Sequence, residues 1–113
     1  MTPGESNAQI ERSTERVTAM LSAVLDCTAG NREVRVTDLS LGGCYVDSVI
    51  APLPEEALGL RFVLPKTEAV EISSKVVYVH EGIGFGVRFN EMNPEQRAIV
   101  EHLLLLHGAN LGS

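Results

Sequence analysis

A small antiparallel β-barrel with one C-terminal helix is the fold class this chain predicts, and two observations predict it. Over residues 17–89, apolar side chains recur at every second position in six short runs separated by turn residues. After Asn93 the apolar spacing changes to three and four. Six strands followed by one helix suit a closed sheet whose open end the helix covers. A length of 113 residues allows one domain with one core. The composition, 44% hydrophobic but only 4% aromatic, makes that core aliphatic.

Residues 1–11 are polar and aperiodic, which reads as a flexible N-terminal arm. From Val17 the period is two: Val17, Ala19, Leu21, Ala23, Leu25 and Cys27 share one face, with Met20 and Val24 as exceptions on the other. Gly30-Asn31 supplies a hairpin turn, since both residues tolerate positive φ. The second strand, Glu33 to Leu39, turns Val34 and Val36 inward and Arg35 and Thr37 outward. A third runs from Cys44 to Val49 and ends before Pro52 and Pro54, which lack the ladder's N–H donor. Leu58 to Leu64 forms a fourth, with Leu58, Leu60, Phe62 and Leu64 on one face. Pro65-Lys66 leads into a fifth, Ala69 to His80, and the turn at 81–84 into a sixth, Phe85 to Phe89.

The helix has a marked start. Asn93 suits the N-cap, Pro94 the first helical position, and Gln96 completes a capping-box pair. Ile99, Val100, Leu103, Leu104, Leu106 and His107 form a broad apolar stripe, and Gly108 is a C-terminal stop. Four consecutive leucines, 103–106, cover more than one helix face and leave an apolar edge for a partner.

A net charge of −6 argues against a general DNA or RNA binder. No apolar run approaches the ~20 residues of a membrane span, and residues 1–6 have no signal-peptide character, so a cytoplasmic protein without membrane insertion is expected. Cys27 and Cys44 read as small buried hydrophobes in a reducing compartment. Together with the scattered histidines they make no metal site. No histidine stands beside either cysteine in sequence, and no activated nucleophile or acid–base pair is evident. The chain is expected to be neither an enzyme nor a cofactor carrier.

Two motifs carry chemistry instead. Arg12 and Arg16 form an Arg-x-x-x-Arg pair, and a guanidinium fork grips a phosphate or the O6/N7 edge of guanine bidentately. Asp38-Leu39-Ser40-Leu41-Gly42-Gly43 is an Asp-x-Ser-x-x-Gly turn after a strand. Its carboxylate can accept guanine's N–H donors, its serine can serve either partner, and Gly43 permits close backbone approach. With three Asp, eight Ser and ten Gly in the chain, only about 0.02 such matches arise by chance. Each motif also has a structural use: arginines on a polar arm are commonly solvated, and Asp and Ser commonly cap turns. Together they point to an anionic guanine-bearing ligand.

With these motifs in this order, and the later Gly84-Phe85-Gly86-Val87-Arg88-Phe89 strand, the chain resembles the PilZ domain, a bacterial family of cyclic di-GMP receptors. The resemblance covers about Arg12 to His107 and gives residues 12–108 as the PilZ-like domain. It implies a six-stranded barrel with a C-terminal helix, no catalysis, and ligand binding by Arg12, Arg16, Asp38, Ser40 and Gly43. Tyr78 and His80 lie near a position where the family often carries a base-stacking side chain, and Arg88 on its outer strand face is a further candidate. The implied role is an adaptor that reports cyclic di-GMP to a downstream protein through ordering of the arm. Outputs in motility, biofilm, polysaccharide or virulence are all compatible with it. Relatives of the pilus-assembly type keep the barrel as an interaction module without nucleotide, typically with incomplete motifs. Both motifs are complete here, although Glu11 and Glu15 flank the arginines where many relatives are more basic.

Overall fold

Alternating apolar residues give each strand one face that has to leave water, and closing the sheet into a ring buries all those faces together. The computed structural model describes residues 16–28, 30–65 and 69–109. Its strands are β1 (Val17–Cys27), β2 (Gly30–Leu39), β3 (Gly43–Asp47), β4 (Ala57–Phe62), β5 (Glu71–His80) and β6 (Gly84–Phe89), followed by the helix α1 (Pro94–Leu106). All neighbours are antiparallel, in the ring order β1-β2-β3-β6-β5-β4, and β4 returns to β1. The expected six-stranded antiparallel barrel with its C-terminal helix is therefore present.

The core is aliphatic, centred on Leu25, Val36, Leu39, Val46, Leu60, Ile72 and Val76, with Phe62 and Phe89 edge to face at 6.5 Å between centroids. Val100, Leu103 and Leu104 of α1 join it, whereas Leu105 and Leu106 stay exposed. Asn93 caps the helix as its sequence suggests: its side chain accepts from the Gln96 N–H and the Gln96 side chain accepts from the Asn93 N–H, both at 2.8 Å. Gly108, with φ +97°, ends it in the left-handed region.

Several boundaries differ from the sequence reading. Gly30 pairs directly with Cys27 and Asn31 with Asp26, so the first hairpin turns two residues earlier than expected. β3 stops at Asp47 because Ser48 folds its hydroxyl onto the loop, donating to the Ile50 carbonyl and accepting its N–H. Arg32 is not a free strand charge: it donates to the Ile50 carbonyl and to Ser48 Oγ at 3.4 Å. Of the two cysteines expected to be buried, Cys27 is only partly so, and β2 separates its strand from that of Cys44. Cys44 is a core residue whose thiol burial pushes far up, with the charge of Asp38 adding to the shift, so it behaves as an apolar group.

The loop after β3 is fastened by one carboxylate. Glu56 accepts from Thr28 Oγ1 at 2.6 Å, from the Thr28 N–H at 3.2 Å and from the Leu53 N–H at 3.0 Å, which ties the first hairpin to the third connection. These donors, the Thr28 hydroxyl foremost, hold the Glu56 carboxyl below the usual glutamate range.

Candidate functional site

Three breaks in strand register build the outer surface of the barrel. On β2, Val34 and Val36 face the core, and strict alternation would send Asp38 in after them. The pairing slips instead, against β1 between Thr18 and Leu21 and against β3 between Val36 and Asp38. Leu39 takes the next core position and Asp38 turns outward. On β5, Ile72, Ser74 and Val76 face in, and a slip against β6 between Val76 and Tyr78 gives Val79 the next inward position. Tyr78 and His80 are thereby placed on the outside, both exposed.

The shifted registers align one row across five strands. Thr18 pairs with Asp38, Asp38 with Tyr45, Tyr45 with Gly86, and Gly86 with Tyr78. A parallel outer row runs from Gly43 to Arg88 to Lys75. Between them lies a cleft of about 470 Å³, lined among others by Arg16, Asp38, Ser40, Gly43, Tyr78 and Arg88, within the usual size range of ligand sites.

Each predicted residue has a definite place. Arg16, just ahead of β1, approaches Asp38 with Nη1 to Oδ2 at 3.2 Å. The arginine is largely exposed, so the pair contributes only about 0.2–1 kcal/mol to stability. The other carboxylate oxygen of Asp38, Oδ1, is buried and has no hydrogen-bond partner among the described residues. Such an atom costs about 1–3 kcal/mol unless something donates to it.

Ser40 shapes the turn. Its N–H donates to the Gly43 carbonyl at 2.9 Å, its hydroxyl donates to the same oxygen at 3.3 Å, and its Oγ accepts from the Gly42 N–H at 3.2 Å. Gly43 needs no left-handed backbone; it is glycine because a Cβ would collide with the Val87 carbonyl of β6. Arg12 and the expected arm, residues 1–11, lie outside the described residues.

The aromatic side of the cleft was only half visible beforehand. Tyr78 and His80 are joined by Tyr45, which the sequence reading did not single out. Tyr45 lies 6.2 Å from Tyr78 and 5.8 Å from His80 between ring centroids, and Tyr78 lies 5.1 Å from His80. The Tyr45 hydroxyl is 3.2 Å from His80 Nδ1. Partial burial pushes the Tyr45 phenol up, and Tyr78 and Asp47 add to the shift. Glycines make room for the rings: a Cβ on Gly84 would meet Tyr45 Cε2 at 2.7 Å, and one on Gly86 would meet Tyr78 Cε2 at 2.5 Å. The signal for Tyr45 was its phase, opposite to core residues Cys44 and Val46.

An arginine, a carboxylate with an unused acceptor and flat ring surfaces suit a ligand with phosphates and a planar base. The PilZ domain family profile matches residues 10–106, nearly the whole chain. The chain belongs to the PilZ domain family. PilZ domains are receptor and adaptor modules rather than enzymes. No curated protein matches the chain in sequence.

Solved structures share the fold at low identity. The PilZ domain of CeSA from a cellulose-synthesizing bacterium superposes with a TM-score of 0.66 at 22% identity, over 81% of this chain and 96% of that one. The PilZ domain of YcgR from Escherichia coli, solved with c-di-GMP, gives 0.67 at 14% identity, over 83% and 88%. The Bacillus subtilis inhibitor of motility MotI/DgrA gives 0.68 at 16% identity, over 80% of this chain but 48% of its own, so this chain spans about half its length. Among the described residues of this PilZ domain, no helix is long and apolar enough to cross a membrane.

Proposed function

We propose that this PilZ domain is a non-catalytic cytoplasmic receptor for cyclic di-GMP, with Arg12, Arg16, Asp38, Ser40 and Gly43 as its ligand-binding set. The observation that carries this reading is Asp38 at the cleft: one oxygen beside Arg16, the other buried with no hydrogen-bond partner among the described residues. Guanine offers N–H donors that such an oxygen accepts, and the arginines balance the phosphates. Arg88 lines the same cleft and adds a cation to its rim. The YcgR domain solved with c-di-GMP supports the choice of ligand.

Arg16 is fixed beside the cleft, and the four-residue step back to Arg12 spans at most ~14 Å. In this reading Arg12 joins Arg16 at the ligand, and the arm orders over it as a surface for a downstream protein. Order parameters for Ser6 to Arg16, measured by NMR with and without ligand, test this. A segment equally rigid or equally mobile in both states removes the relay.

Calorimetric titration with cyclic di-GMP tests the receptor itself, with GTP and cyclic di-AMP as controls. Saturable binding of cyclic di-GMP, with neither control competing, is the expected result. No binding would leave the barrel as a protein-interaction module.

A further inference from the structure

We infer that Tyr45 is a base-contacting residue of the cleft and that His80 positions its ring. This rests on the receptor reading and adds a contact to it. Asp38 and Tyr78 stand on one cross-strand row, their backbones three inter-strand steps of ~4.8 Å apart, roughly 14 Å. A purine is far shorter than that. A base whose edge donates to Asp38 Oδ1 thus rests its face on what lies next along the row, and that is Tyr45, the direct pairing partner of Asp38.

Gly86, the following position, has no side chain, and the Tyr78 ring fills the space above it. Tyr45 forms the floor next to the carboxylate and Tyr78 closes the far end, while His80 packs against both rings without lining the cleft. The hydroxyl of Tyr45 is anchored to His80 Nδ1 at 3.2 Å, and the ring lies against Gly84, so its face is set before ligand arrives.

The chain carries its own reporter for this contact. It has two tyrosines and no tryptophan, and both tyrosines flank the cleft. In the Tyr78→Phe variant, Tyr45 is the only tyrosine, so all tyrosine emission comes from it. Titration of that variant with cyclic di-GMP is expected to quench tyrosine fluorescence saturably, at the calorimetric midpoint and beyond a GTP control of equal absorbance. Separately, Tyr45→Ala is expected to weaken binding about 5- to 150-fold, the range for losing one base-stacking ring. Tyr45→Phe should cost only a few-fold, and His80→Ala should add no further loss once Tyr45 is Phe.

Cyclic di-GMP that binds calorimetrically without quenching Tyr45, or with wild-type affinity to a folded Tyr45→Ala, overturns the inference and leaves the receptor reading standing. Independent losses from His80→Ala and Tyr45→Phe remove the positioning role. A wild type that does not bind at all overturns the receptor reading, and the Tyr45 contact falls with it.

Discussion

Two carboxylates of the barrel, Asp38 near the end of β2 and Glu56 in the loop before β4, contrast sharply. Glu56 accepts three hydrogen bonds, two from Thr28 of the first hairpin and one from Leu53 of its own loop, engages both its oxygens, and titrates below the usual range. Asp38 has a single ion pair to an exposed arginine on one oxygen, while the other is buried without a partner among the described residues. The difference is in the use of lone pairs: a carboxylate that fastens the fold has its acceptors filled from within, and one shaped for a ligand keeps capacity open.

The largest effect should separate the two residues by kind. Asp38→Ala or Arg16→Ala is expected to weaken cyclic di-GMP binding roughly ten- to hundredfold, the equivalent of a charge-assisted hydrogen bond, with little change in melting temperature. Glu56→Ala should do the reverse, lowering the melting temperature and sparing affinity. Calorimetry and thermal melts on the same samples read both, and an Asp38→Ala that melts early yet binds normally breaks the contrast.

Gly43→Ala comes next. Its methyl has no space against the Val87 carbonyl, so a loss of about 1–3 kcal/mol in urea unfolding is expected, together with weaker binding. Ser40→Ala should cost less, about 0.5–1.5 kcal/mol, because the turn keeps its backbone bond to Gly43.

The smallest effect depends on pH. Since the folded-state pKa of Glu56 is depressed, its stabilisation is fully present above the unfolded glutamate value of ~4.3 and is lost as pH falls through the folded value. The melting gap between wild type and Glu56→Gln should therefore be open at neutral pH and close under acid. A gap that widens as the solution is acidified contradicts the assigned role.

The elements of this fold were legible because each carries a local signal. Period two changes to period three and four at Asn93, and Asn93, Pro94 and Gln96 mark the helix start in a few residues. The Asp38–Gly43 turn was legible for the same reason. The bulges leave a fainter trace. Core positions step by two until Val36 and Val76, then by three to Leu39 and Val79. Tyr45 was invisible as a site residue because its neighbours in the row come from other strands. Which residues share a row depends on register, and register follows from pairings distant in the chain.

Because β4 returns to β1, none of the six described strands is an edge strand. An aggregation-prone protein recruits its next copy through exposed strand backbone, and here every strand already has two neighbours. That closure lets the surface carry Val49, Ile50 and Leu53 in the open without offering a template for amyloid-like growth. With no edge strand to extend, a partner that reads this domain is best served by side chains and loop shape.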